Sequence, residues 1–169
     1  MRKTNRLTLI SCLAALAVVG RVGLRFIPNV QPVTAIIILS GYFLGPGSAI
    51  LLAVVSTYIS NLLLGMGIWT IWQIVAWVMI AGLAGIIKAL KIAKPLFLLN
   101  ILGCLTGFIY GLFFSIVNYL VTGSFWPYYF AGLPFDLTHA ISNVIFILIL
   151  YKPLLFIFKH QEKNNQIGI

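Results

Sequence analysis

Apolar residues run along this chain in long, nearly unbroken blocks, separated by short clusters of glycine, proline and charge. The blocks fall at about residues 7–24, 33–44, 49–64, 71–87, 96–121 and 135–158. A helix needs about 20 apolar residues to cross a bilayer, and most of the blocks approach that length. The pattern predicts an all-α protein, an integral membrane bundle of six transmembrane helices in one membrane domain over residues 1–169. Local chemistry explains the breaks. Pro28-Asn29-Val30-Gln31-Pro32 precedes the short second block, because proline lacks an amide donor and restrains its predecessor. Gly45-Pro46-Gly47 and Gly65-Met66-Gly67 flank the third block as turns. Lys88, Lys91 and Lys94 close the fourth, and a loop of Gly, Pro and aromatics from Gly123 to Pro134 precedes the sixth.

Composition narrows the class. The chain is 62% hydrophobic and 8% charged, whereas soluble domains carry about 45–50% apolar and about 25% charged residues. Six spans would use roughly 120 residues, so a nucleotide-hydrolysing motor has no room in this sequence. Eleven Lys and Arg face two acidic residues. Such a balance in a soluble protein would suggest nucleic acid. Here the cations sit between apolar blocks and read as membrane topology. With six spans, one side carries Arg2, Lys3, Arg6, Lys88, Lys91, Lys94, Lys152, Lys159 and Lys163, and the other only Arg21 and Arg25. The positive-inside rule then places both termini in the cytoplasm. The basic start of the first block resembles a signal peptide, but the block continues into Arg21 and Arg25 without a cleavage pattern and is expected to span. Cys12 and Cys104 lie inside apolar blocks without metal or disulfide spacing.

Polar and aromatic residues that topology does not explain collect in the outer connections. These are Arg21, Arg25, Asn29 and Gln31 in the first; Asn61, Trp69, Trp72, Gln73 and Trp77 in the second; and Trp126, Tyr128, Asp136 and His139 in the third. Trp and Tyr also form belts at headgroup depth, so a ligand role and an interfacial role are both open for them. Arg21 and Arg25 are four residues apart and share a helix face. They either snorkel to the headgroups or pair with Asp136, the only acid within the expected bundle. Asp136 and His139 are three residues apart, and His139 serves either as a buried hydrogen-bonding residue or as a ligand contact. Neither a hydrolase nor a metal motif is present, so no catalytic residues and no metal ligands are expected. Ser11 and Ala15, with Ala14 and Ala17 beside them, form a small-residue face on the first helix. That face suits close helix packing, either inside the bundle or against a partner.

Six short spans, both ends inside and the Ser11/Ala15 face together resemble the substrate-binding S components of energy-coupling factor (ECF) vitamin transporters. The stretch from Arg25 to Ala35, together with Ser60-Asn61, Gly65-Met66-Gly67-Ile68-Trp69-Thr70, Trp72-Gln73 and Ala76-Trp77, is most similar to the cobalamin-type subgroup. The resemblance implies a non-enzymatic binding subunit in a bacterial plasma membrane. It would take a vitamin from outside and topple to deliver it when docked through Ser11 and Ala15. Its partners would be a membrane T subunit and two cytoplasmic ATPases. The chain itself would hold no cofactor, ATP being used by the partners. Cobalamin is the expected substrate. Asn and Gln side chains both donate and accept, which suits corrin carboxamides. The same residues with Arg25 suit pantothenate or another small vitamin. A membrane enzyme would need an acid–base or metal constellation that Asp136 and His139 alone do not supply. A stand-alone secondary transporter would show an internal repeat, and none is evident.

Overall fold

The structure is a computed structural model that describes residues 3–92 and 94–166; Arg2 and the side chain of Lys163, both in the charge tally above, lie outside the described residues. Six helices follow one another: α1 (Lys3–Gly23), α2 (Val33–Leu44), α3 (Pro46–Leu64), α4 (Trp69–Ala89), α5 (Pro95–Thr122) and α6 (Trp126–Gln166). Five of them are long and apolar enough to cross a membrane. The exception is α2, with 12 residues. At about 1.5 Å per residue it spans roughly 18 Å, short of a hydrocarbon core about 30 Å thick. The sequence predicts six spans; α2 does not reach across by itself.

Instead, α2 is the centre of the bundle. Every residue from Val33 to Gly41 is buried, and α1, α3, α4, α5 and α6 all pack on it. That explains why its sequence shows no polar face: no face of it meets water. Gly41 lets α4 approach, since a Cβ there would lie 2.7 Å from the Ala84 side chain and 3.1 Å from the Ala81 carbonyl.

The helices alternate in direction, as their contacts show. At one end Arg6 near the start of α1 donates to Ser48 Oγ at 2.6 Å and to the Leu44 carbonyl at 2.8 Å. Lys88 near the end of α4 donates to the Phe43 carbonyl at 3.0 Å, and Phe158 of α6 stacks against Phe43 with centroids 4.7 Å apart. Two cations thus satisfy carbonyls at the C-terminus of α2, the end where the helix dipole favours positive charge. The start of α1 and the part of α6 around Phe158 therefore lie at the same end of the bundle.

On α5, Gly103, Gly107 and Gly111 recur every fourth residue, and the face they clear receives α6 running the other way. A Cβ on Gly103 would strike Ile147, one on Gly107 would strike Ala140, and one on Gly111 would strike the carboxylate of Asp136. Small residues at this spacing let helices approach closely in lipid.

Two sequence expectations need correction. The stretch from Gly123 to Pro134 is not a loop. The turn ends at Phe125 and α6 begins at Trp126, with Pro127 in its first turn, where a missing amide costs nothing. Pro134 and Pro153 lie inside α6. Likewise α3 begins at Pro46 rather than after the Gly-Pro-Gly turn, again with proline at a helix start.

Candidate functional site

At the end opposite the Arg6–Lys88 clasp, the helix ends surround a cavity of about 540 Å³. One wall comes from Arg21 on α1 and the connection that follows, with Leu24, Arg25, Ile27, Asn29, Val30 and Gln31. Leu64 and Gln73 contribute from α3 and α4. The opposite wall is Tyr110, Gly111, Phe114 and Ser115 of α5 with Tyr128, Ala131, Gly132, Phe135 and Asp136 of α6.

The first connection is held in shape by backbone turns and by α6. Asn29 adopts a left-handed conformation, φ 58°, which asparagine tolerates better than most residues. Its side-chain amide donates to the Phe135 carbonyl at 3.1 Å. The Gln31 backbone amide donates to Ser142 Oγ at 3.1 Å, leaving its side chain at the cavity wall. Pro32 packs against Gly20, where a Cβ would overlap the proline ring.

The second wall is organised by a chain of buried polar groups. Arg21 donates to Ser60 Oγ at 2.7 Å and to Gln73 Oε1 at 3.4 Å, and its guanidinium lies 5.1 Å from the Trp77 ring centroid. Asn61 donates to Gln73 Oε1 at 2.7 Å and to Thr70 Oγ1 at 2.9 Å. With both donors on its oxygen, Gln73 turns its NH2 group toward the Tyr110 hydroxyl. Beneath this layer the Trp77 indole donates to Thr34 Oγ1 at 3.0 Å, and Thr34 Oγ1 lies 2.9 Å from His139 Nε2. The Thr34 hydroxyl thus joins Trp77 to His139 Nε2, while His139 Nδ1 has no hydrogen-bond partner.

The structure sorts the residues singled out from the sequence. Arg25, Asn29, Gln31, Gln73, Tyr128 and Asp136 line the cavity. Asn61 and His139 do not; both are fully buried and support the wall through Gln73 and Thr34. Trp69 is 49% exposed and Trp126 62% exposed, and neither lines the cavity, as expected of interfacial aromatics. Trp72 is half-buried near Phe113, with centroids 6.3 Å apart. Trp126 and Tyr128 both lie on helix α6, which presents only Tyr128 to the cavity. The expected pairing of Arg21 or Arg25 with Asp136 is replaced by the Ser60 and Gln73 contacts of Arg21, and Asp136 Oδ2 has no hydrogen-bond partner. Tyr110 and Phe114 were not singled out from the sequence. Their aromatic run in α5 reads as lipid-facing until α6 is placed beside it. Ser11 and Ala15 are exposed on α1, whereas Ala14 and Ala17 face the core. Among the described residues no three His, Cys, Asp or Glu side chains cluster as a metal site would require.

Membrane-length helices around a cavity lined by both polar and apolar side chains, open at one end of the bundle, define a multi-pass membrane protein built to hold a small molecule. The family described as ECF transporter, substrate-specific component, matches residues 5–151, and the chain belongs to that family. It is thus the binding subunit of a transporter, not an enzyme, and works with a substrate and with T and ATPase subunits. No curated protein and no solved structure matches it.

Proposed function

We propose that this S component captures cobalamin from outside a bacterial plasma membrane and delivers it to the cytoplasm by toppling when docked on its T subunit and two ATPases. The observation that carries the binding role is the cavity itself, a volume of mixed polar and apolar lining built from five helices and one connection. Amide groups of Asn29, Gln31 and Gln73 suit a rim of carboxamides. Tyr110, Phe114 and Phe135 supply apolar area for a macrocycle, and Arg21 and Arg25 suit its phosphodiester. The subgroup resemblance of residues 25–35 and 60–77 points the same way. The chain itself needs no cofactor, with ATP used by the partners. The nine-to-two charge asymmetry supports a cytoplasmic Arg6–Lys88 end, and with it cytoplasmic termini.

Pantothenate is the second reading, and the cavity volume favours it. Pockets of about 300–1,000 Å³ enclose drug-sized ligands. The 540 Å³ here would enclose pantothenate whole, its carboxylate on Arg21 or Arg25, whereas a corrinoid would extend through the mouth. Titration of the purified protein with cobalamin and pantothenate side by side decides between them. Saturable binding of cobalamin alone supports the first reading, binding of pantothenate alone the second, and binding of neither overturns both.

A further inference from the structure

Asp136 is the one acidic residue lining the cavity, facing a wall that carries Arg21 and Arg25. It is 4% exposed, and its Oδ2 has no hydrogen-bond partner. Buried carboxylates are normally paired or hydrogen-bonded, and an unsatisfied one works against the fold. The packing nevertheless positions this group closely. Gly111 leaves the space that the carboxylate occupies, and any Cβ there would collide with it. Arg21 and Arg25 line the same cavity, and in its ionised form the Asp136 carboxylate only accepts hydrogen bonds.

Resting on the substrate-binding role proposed above, we infer that Asp136 is a specificity-determining contact that takes an N–H or O–H donor from the ligand and rejects a ligand carboxylate, while the Arg21–Arg25 wall takes the ligand's anionic or acceptor end. The cavity is therefore polarised across its width. Its ligand carries a carboxamide, amine or hydroxyl at the end that meets α5 and α6, and an acceptor or anion at the other. Gly111 is a positioning residue for this contact, since it admits the carboxylate to the wall.

The test uses the full-length protein in detergent, with cobalamin and pantothenate as probes. Asp136→Asn keeps the volume but replaces one acceptor oxygen with an NH2 group. For whichever probe the wild type binds, the variant is expected to bind about ten- to hundred-fold more weakly. Its thermal stability without ligand should be unchanged or higher, because an unsatisfied carboxylate has been removed. A purely structural role for Asp136 would instead lower that stability. Asp136→Ala, which leaves no acceptor, should show the same split and covers a failure of the Asn variant to fold. Wild-type affinity in both folded variants overturns the inference while leaving the substrate-binding role standing. A loss of affinity that merely follows a loss of ligand-free stability also overturns it. Binding of neither probe by the wild type removes the proposed substrates, and this inference falls with them.

Discussion

Gly107 of α5 lies directly on the backbone of Ala140 in α6: a Cβ on the glycine would sit 2.6 Å from the Ala140 amide nitrogen and 2.8 Å from its Cβ. Neither helix can yield there without moving its main chain. This contact sits between Gly103–Ile147 below and Gly111–Asp136 above, so it sets how close the α5–α6 wall of the cavity can be.

Gly107→Leu should therefore destabilise the protein by at least the 1–3 kcal/mol, roughly, that overpacking costs. Thermal unfolding in detergent checks it. Gly82→Ala is the control: nothing lies within 4 Å of a Cβ there, and alanine is the better helix former. Its unfolding temperature should hold or rise.

Thr34 serves two buried partners with one hydroxyl. Thr34→Val keeps the shape but leaves the Trp77 N–H and His139 Nε2 without that partner. Each unsatisfied buried group costs about 1–3 kcal/mol. A marked fall in the unfolding temperature is expected, with Thr34→Ser close to wild type.

Affinity should separate the residues of the cavity wall from those outside it. Asn29→Ala and Gln31→Ala should each weaken binding of the protein's vitamin by about 1–3 kcal/mol, roughly five- to 150-fold. Trp69→Ala should leave affinity unchanged, because Trp69 does not line the cavity. Isothermal titration on the folded variants is the measurement. Loss of binding in the Trp69 variant alone would place the site elsewhere.

Partner docking can be separated from ligand binding. Ser11 and Ala15 are exposed on α1, and the Ser11 hydroxyl is occupied by the Leu7 carbonyl at 3.0 Å. Ser11→Trp should fold and bind ligand normally yet fail in uptake by cells carrying the T and ATPase subunits. Normal uptake by this variant would exclude α1 as the docking face.

Orientation is open to cysteine labelling. Cys12 and Cys104 are free thiols on helix surfaces, so both are first replaced by alanine to leave a single introduced thiol. In that background a cysteine at Met66 should be labelled by a membrane-impermeant reagent from outside intact cells, and one at Asn164 only after permeabilisation. The reverse pattern would invert the proposed topology.

The apolar blocks made the helices legible, and the glycine turns at Gly45 and Gly65 fell where positive φ is required, at 90° and 115°. Block length alone did not distinguish α2 from a span. A short helix enclosed by five others and one facing lipid are equally apolar. Proline misled at Pro127, because the residue that stops a helix also starts one. Spacing put Arg21 and Arg25 on one face, but which groups Arg21 meets depends on the neighbouring helices; only the fold brings Ser60 and Gln73 to it. The glycine repeat from Gly103 to Gly111 was present in the sequence as a four-residue rhythm and is the signal that could have paired α5 with α6. Asp136 was visible as a lone acid, but its lack of a partner is a property of three dimensions.

No residue of α2 between Val33 and Leu44 lines the cavity, although α2 is the helix on which the rest of the bundle packs. The determinants of folding and of selectivity are thereby held on separate stretches of chain. Substitutions in residues 24–31 or at the cavity-lining positions Phe114, Ser115, Tyr128 and Ala131 can reshape what the protein accepts without disturbing the axle that keeps it assembled. The architecture is in that sense a chassis with replaceable walls, suited to diversification toward new cargo at little risk to the fold.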